Sequence, residues 1–200
     1  MANKAYLEYA KVEKPAGHLN SPQVADRDSV PQVWIALPTG IIKINYDAAL
    51  LQDSVKGGLG LVLRDHAGVK RKFVSIPMYF NSALQGEILA VRAALRLALE
   101  LGFTQVQVET DCREVVKYIL DHSCSAPIDS AVVIGDIWKL SSSFSSISFH
   151  CISRAINGVV DALARKAMSL VCLTDWPLST QWLHELCSCE AAACTHSRSK

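Results

Sequence analysis

The order in which the backbone period changes along this chain limits its fold more than any other feature. Between residues 42 and 79 three strand-like segments follow one another, and beyond them strands and helices alternate. "IKINYDAAL" (42–50) sets Ile42, Ile44, Tyr46 and Ala48 on one face and Lys43, Asn45 and Asp47 on the other, a period of two. "GGLGLVLRD" (57–65) and "VKRKFVSIP" (69–77) come next, joined by "DHAG" (65–68), a tight hairpin in which Gly68 supplies a positive φ. Strands spaced this closely form an antiparallel meander.

A helix from Ser82 to about Leu101 follows. Ser82 and Gln85 fit a capping box, Ile88, Val91, Leu95 and Leu99 repeat at helical spacing, and Gly102 ends the helix. "TQVQVET" (104–110) reads as a fourth strand and "SISFHCIS" (146–153) as a fifth. "DCREVVKYILDH" (111–122), "DSAVVIGDIWKL" (129–140) and "NGVVDALARKAMSL" (157–170) read as helices. The order βββαβααβα predicts an α/β domain: a mixed five-stranded sheet, three meander strands with parallel additions, flanked by helices.

Half of the residues are apolar, enough for one core. Residues 1–32, aperiodic and carrying Pro15, Gly17, Pro22 and Pro31, read as a loosely ordered lead-in; residues 33–171 as the domain; residues 172–200 as a peripheral tail. A net charge of +1 gives no global pull on nucleic acid or membrane, and no apolar run is long enough to span a bilayer. Between Val33 and Val171, however, 14 basic residues face 12 acidic ones. Were four of those acids neutralised by cations, that segment would present a basic surface. Seven scattered cysteines and no secretory apolar segment point to reduced thiols and an intracellular setting, nuclear or cytoplasmic. In the tail, Cys187, Cys189, Cys194 and His196 are a minor zinc reading, because Cys-x-Cys is short for a structural zinc site.

Four acids stand out by position. Asp47 ends the first strand, Glu87 lies early in the long helix, Asp111 leaves the fourth strand, and Asp161 lies early in the last helix. Strand ends and helix starts in this order can converge on one edge. Each acid also has an ordinary explanation: Glu87 as a helix-dipole acid, Asp111 with Glu114 as a capping box, Asp161 paired to Arg165 at i,i+4.

Five stretches together carry a resemblance. "IKINYDAA", "GGLGLVLRDHAG", "NSALQGEILAVRAAL", "VQVETD" and "SRAINGVVDALARKA" resemble, in order, the motifs of the ribonuclease H domain. The likeness is to the type 1 variety found in plants and in non-LTR retroelement polyproteins. It spans about residues 40–169, and "VWIALPTG" is similar to the Trp-containing lead-in of that variety. The resemblance implies a ribonuclease H-like fold and an endonuclease that cuts the RNA strand of RNA·DNA hybrids. It implies that Asp47, Glu87, Asp111 and Asp161 are catalytic and hold two Mg²⁺ ions, with Mn²⁺ as substitute, since hard cations prefer carboxylate oxygens. It further implies that Arg154 assists proton transfer or product release, with Cys151 where related chains carry His. His150 reads as a structural histidine. The implied partner is an RNA·DNA hybrid, with no membrane, and the working form a monomer.

This chain departs from the family pattern at Ala48 (for Gly), Gly86 (for Ala) and Cys112 (for Ser), and it has no basic helix between Asp111 and the last strand. Lys70, Arg71 and Lys72 are its one dense basic run. A second reading is therefore a domesticated retroelement domain that binds nucleic acid or a partner without useful catalysis. Metal-dependent cleavage separates the two.

Overall fold

The computed structural model describes residues 37–196, and side chains as far as Cys189. The lead-in (1–32) and Trp34 lie outside the described residues. Strands β1 (Ile42–Leu50), β2 (Lys56–Arg64) and β3 (Lys70–Tyr79) form the meander. Helix α1 (Ala83–Glu100), strand β4 (Gln105–Thr110), helices α2 (Arg113–Leu120) and α3 (Ala131–Ser141) and strand β5 (Ser146–Cys151) follow. A 3-10 turn (Arg154–Ile156) leads into α4 (Gly158–Ala167), then β6 (Thr174–Asp175) and α5 (Gln181–His196). Among the described residues no helix is long and apolar enough to cross a membrane.

The sheet runs β5-β4-β1-β2-β3-β6. β1 pairs with β2 antiparallel and with β4 parallel, and β5 adds parallel to β4. The mixed architecture is as expected, but the sheet has six strands rather than five. The additional strand comes from the segment read as a peripheral tail: Val74 and Ser75 of β3 pair with Asp175 and Thr174.

Local chemistry sets the boundaries. The Ser82 Oγ accepts the Gln85 N–H, while the Gln85 side chain reaches back to the Asn81 N–H rather than to the capping serine. At the other end of α1, the Gly102 N–H bonds to the Leu99 carbonyl and the Phe103 N–H to the Ala98 carbonyl, with Gly102 at φ +77°. That is the glycine-terminated helix end in which a left-handed residue lets two orphan carbonyls be satisfied. In the β2–β3 hairpin Asp65 Oδ1 accepts the N–H groups of Ala67 and Val69, and Gly68 takes φ +81°.

Helices cover both faces. α1, α2 and α3 bury Ile44, Tyr46, Leu59, Leu61, Ile88, Val91, Leu95, Ile119 and Ile137 on one face. On the other, α4 and α5 enclose Val62, Phe73, Val159, Val160, Leu163, Leu183 and Cys187. Ser75 Oγ donates to the Leu163 carbonyl of α4 and accepts from Trp176 Nε1, so the tail is fastened to the same strand that α4 covers.

Two glycines decide where α4 lies. A Cβ on Gly60 would collide with the Val160 carbonyl oxygen, and one on Gly58 with the Ala164 carbonyl oxygen. The absence of side chains there lets α4 lie flat against β2, and the helix carries Asp161 with it.

Candidate active site

The parallel pairing of β1 with β4 ends at Asn45 opposite Glu109. Asp47 and Asp111 each lie two residues further on, so the register brings them side by side where the strands part. A crevice at the carboxyl ends of adjacent parallel strands is where open α/β sheets place ligands. Asp47 is buried, and its β2 side is held by pairing with Gly60.

With no β4 partner at this level, the Ala48 N–H is taken by Glu87 Oε1 of α1 at 3.1 Å. The other Glu87 oxygen faces Thr110 Oγ1 at 3.5 Å, so this carboxylate spans the gap between the two strand exits. Glu87 is buried and α1 has no acid in its first turn, so the helix-dipole explanation does not hold. Nor does the capping explanation of Asp111. The N-cap of α2 is Cys112, without a side-chain cap bond, and Glu114 instead accepts from the Tyr118 hydroxyl. The i,i+4 pair of Asp161 with Arg165 is formed, Arg165 Nε lying 3.0 and 2.9 Å from the two carboxylate oxygens.

The electrostatics follow from this crowding. Burial raises the Asp47 carboxyl from 3.8 to about 6, the Asp111 and Asp161 charges add to the rise, and a hydrogen bond with Glu87 opposes it. Burial and then the Asp47 charge push Glu87 well above the ordinary carboxylate range. Two buried carboxyls in contact cannot both ionise cheaply unless a positive charge joins them. The neighbouring Cys112 thiol is pushed up to about 11, chiefly by burial, and is therefore not a nucleophile.

Four carboxylates are hard oxygen donors, suited in kind to Mg²⁺ or Mn²⁺. As they stand, no three His, Cys, Asp or Glu side chains among the described residues are grouped closely enough to hold an ion. The reason is visible in their partners: Arg165 grips both oxygens of Asp161, and Asn157 Nδ2 donates to Asp111 Oδ1 at 3.1 Å. A cation held by all four acids would have to compete with Arg165 for Asp161.

Arg154, on the 3-10 turn, is 79% exposed with Nε 4.0 Å from Asp111 Oδ2, so it stands at the rim of the cluster. Cys151 lies beneath, its Sγ 3.8 Å from the Asp111 carbonyl oxygen. His150, read as a structural histidine, is exposed, and its ring meets Ser148 Oγ at 3.0 Å. Gly86, where the family pattern has Ala, leaves no open space. The Phe80 ring and the Ala48 methyl occupy the space a Cβ there would need. Arg71 pairs with Asp65, and Lys72 with Asp175, so the basic run on β3 is partly neutralised at the surface. Cys187 is buried in the α4–α5 cluster while Cys189 is exposed. The side chains of Cys194 and His196, the other half of the zinc reading, lie outside the described residues.

Two features were missed in the sequence. Asn157 Nδ2 donates to the Tyr46 carbonyl oxygen as well as to Asp111, stitching β1, the β4 exit and the start of α4 together. It entered the sequence reading only as part of "SRAINGVVDALARKA" and as "NG" before an apolar run, which reads as a turn or cap, and was given no role. Below the acids, Lys43 pairs with Glu109 at 2.7 Å, Asn45 donates to Glu109, and Arg64 donates to Asn45. The polar face of β1 is therefore a buried network rather than a wetted surface. The signal was present in the alternation of both strands, but needed the β1–β4 register to be read.

No curated protein matches the chain. Among solved structures, ribonuclease H1 from the archaeon Halobacterium salinarum is 23% identical with a TM-score of 0.61, over 65% of this chain and 98% of that one. The N-terminal ribonuclease H domain of a Mycobacterium tuberculosis protein, solved as a fusion with maltose-binding protein, is 22% identical with a TM-score of 0.61, over 66% and 95%. A ribonuclease H1 isolated from compost by a metagenomic approach, solved in complex with an RNA/DNA hybrid, is 19% identical with a TM-score of 0.60, over 64% and 96%. The family model described as "Reverse transcriptase-like" matches residues 45–167, a span that starts just before Asp47 and ends with α4. The chain belongs to the reverse transcriptase-like family of ribonuclease H-like domains.

Proposed function

We propose that this chain is a metal-dependent endoribonuclease that hydrolyses the RNA strand of RNA·DNA hybrids. The observation that carries the reading is the Asp47–Glu87 contact. Two buried carboxyls, their affinity for protons raised by burial first and then by neighbouring acids (Asp111 and Asp161 for Asp47, Asp47 and Asp111 for Glu87), lie at the mouth of a strand-end crevice. Such a pair is an electrostatic vacancy that a divalent cation fills better than a proton at neutral pH. Asp47, Glu87, Asp111 and Asp161 would hold the Mg²⁺ or Mn²⁺. The cation supplies an activated water and stabilises the charge that develops on the departing oxygen.

The chain's own residues do the rest. Glu87, fixed by the Ala48 N–H, sets the spacing between the β1 and β4 exits. Asn157 holds Asp111 in place. Arg154, exposed and at the rim, is placed to meet a phosphate or to help a product leave. The ribonuclease H1 solved with a hybrid has this fold, which supports the choice of substrate.

One observation favours the non-catalytic alternative, a domain that binds nucleic acid without cutting it: the two-oxygen grip of Arg165 on Asp161. Labelled hybrid incubated at low salt with Mg²⁺ or Mn²⁺, wild type beside Asp47→Asn, decides between them. Cleavage of the RNA strand that needs metal and vanishes in the variant supports the nuclease. Hybrid binding without cleavage by the folded wild type overturns it.

A further inference from the structure

The family match ends at residue 167, so α5 lies beyond the shared domain. This helix packs on α4, and it also touches the 3-10 turn that carries Arg154. Between α4 and α5 runs a groove of about 460 Å³ lined by Ala162, Arg165, Lys166, Ser169 and Trp182. Its first lining residue, Ala162, directly follows Asp161.

Its chemistry is specific. Arg165 is 62% exposed even while paired, and Lys166 is exposed, so the α4 wall is cationic. The α5 wall presents the ring of Trp182. That ring is held edge-on by Trp176, with centroids 5.4 Å apart at 89°, and Trp176 is in turn anchored by its indole N–H to Ser75. A fixed aromatic ring beside two cations is the arrangement that binds single-stranded nucleic acid: a base stacks on the ring and the phosphate meets the cations. The volume suits about one nucleotide rather than a duplex. Arg154 stands at the rim of the acids, on the 3-10 turn that α5 touches. The nearby acid on α5, Glu185, is engaged by Gln181, at 3.0 Å.

We propose that the α4–α5 groove holds an unpaired nucleotide of a strand that overhangs the hybrid, with the base on Trp182 and the phosphate on Lys166 and Arg165. This rests on the proposed hybrid-binding function for its location, but it is tested separately from cleavage. The chain thereby gains a handle in its C-terminal addition, where it has no basic helix between Asp111 and β5.

The experiment is fluorescence polarisation with the full chain in EDTA. It compares a blunt RNA·DNA hybrid, the same hybrid with a five-nucleotide single-stranded extension, and the extension alone. The extension is expected to tighten wild-type binding about tenfold, the size of one stacked base with its phosphate. Trp182→Ala and Lys166→Glu, each checked for a native circular dichroism spectrum, are expected to abolish that gain and leave the blunt hybrid within about twofold. Lys166→Glu stands on the surface and keeps the test open should Trp182→Ala unfold. An extension that adds nothing in wild type, or a gain that survives in the folded variants, overturns the proposal. Binding of the extension through Trp182 without binding of the blunt hybrid supports the groove, and the nuclease reading then stands or falls by the metal-dependent cleavage assay alone.

Discussion

Replacing Asp47 with Asn is expected to make the metal-free protein more stable, and the gain is expected to depend on pH in a defined way. The folded chain holds the Asp47 proton up to about pH 6 against an ordinary value of 3.8. Each pH unit of such a difference is about 1.4 kcal/mol, so ionised Asp47 weakens the metal-free fold by about 3 kcal/mol at neutral pH. Because the folded state binds more protons than the unfolded one across that interval, stability falls as pH rises from about 4 to about 6. It goes on falling while Glu87, also raised, loses its proton. Asparagine keeps the shape, removes the charge and can donate its amide N–H to Glu87, but it must still be buried. A net gain of about 1–2 kcal/mol, or roughly 3–6 °C in melting temperature, is expected for a chain of this size. Thermal melts in EDTA at pH 4 and pH 7.5 measure it. The gain should be present at pH 7.5 and absent at pH 4, where both forms are neutral at this position. A variant less stable than wild type at pH 7.5, or an effect equal at both pH values, would refute the electrostatic account.

Three further outcomes follow from the packing. Asn157→Ala removes the donor that joins Tyr46 to Asp111; urea unfolding should show a loss of about 2–3 kcal/mol, with hybrid cleavage reduced at least about tenfold. Gly60→Ala drives a methyl into the Val160 carbonyl oxygen and must lift α4; a loss of about 3 kcal/mol is expected, and cleavage should fall further than stability alone explains, because Asp161 rides on that helix. Leu183→Ala should cost about 2–4 kcal/mol, since Leu183 is fully buried against α4 and β2; a change near zero in the urea midpoint would return α5 to the status of a peripheral tail.

Period and turn chemistry made most of the fold legible. The alternation in "IKINYDAAL", the Gly68 hairpin and the Ser82 and Gly102 ends of the long helix are local signals, and the structure realises each of them. The parts that were not legible depend on distant partners. "TD" at 174–175 is too short to show any period, and becomes a strand only because β3 offers a free edge. Leu183, Leu186 and Cys187 are unremarkable until Val62, Phe73 and Val159 lie opposite them.

The acids show the same division. Their places at strand ends and helix starts could be read from the sequence, but whether Glu87 was a dipole acid or a bridge depended on an unpaired Ala48 N–H. That N–H exists because β1 outruns β4. Asn157 was invisible for a similar reason: its two acceptors, the Tyr46 carbonyl and Asp111, are 111 and 46 residues away in sequence. The departures at Ala48 and Gly86 face each other, since a Cβ on Gly86 would meet the Ala48 methyl as well as the Phe80 ring.

Asp47, Glu87, Asp111 and Asp161 are expected to bind a divalent cation as one site. Calorimetric titration of Mn²⁺ into the full chain at pH 7.5 tests it most directly, with Asp47→Asn, Glu87→Gln, Asp111→Asn and Asp161→Asn alongside wild type. Wild type should bind saturably and release protons from the Asp47–Glu87 pair, and each variant should bind at least about tenfold more weakly. Mn²⁺ binding left unchanged by all four substitutions, or no binding by a folded wild-type chain, would contradict it.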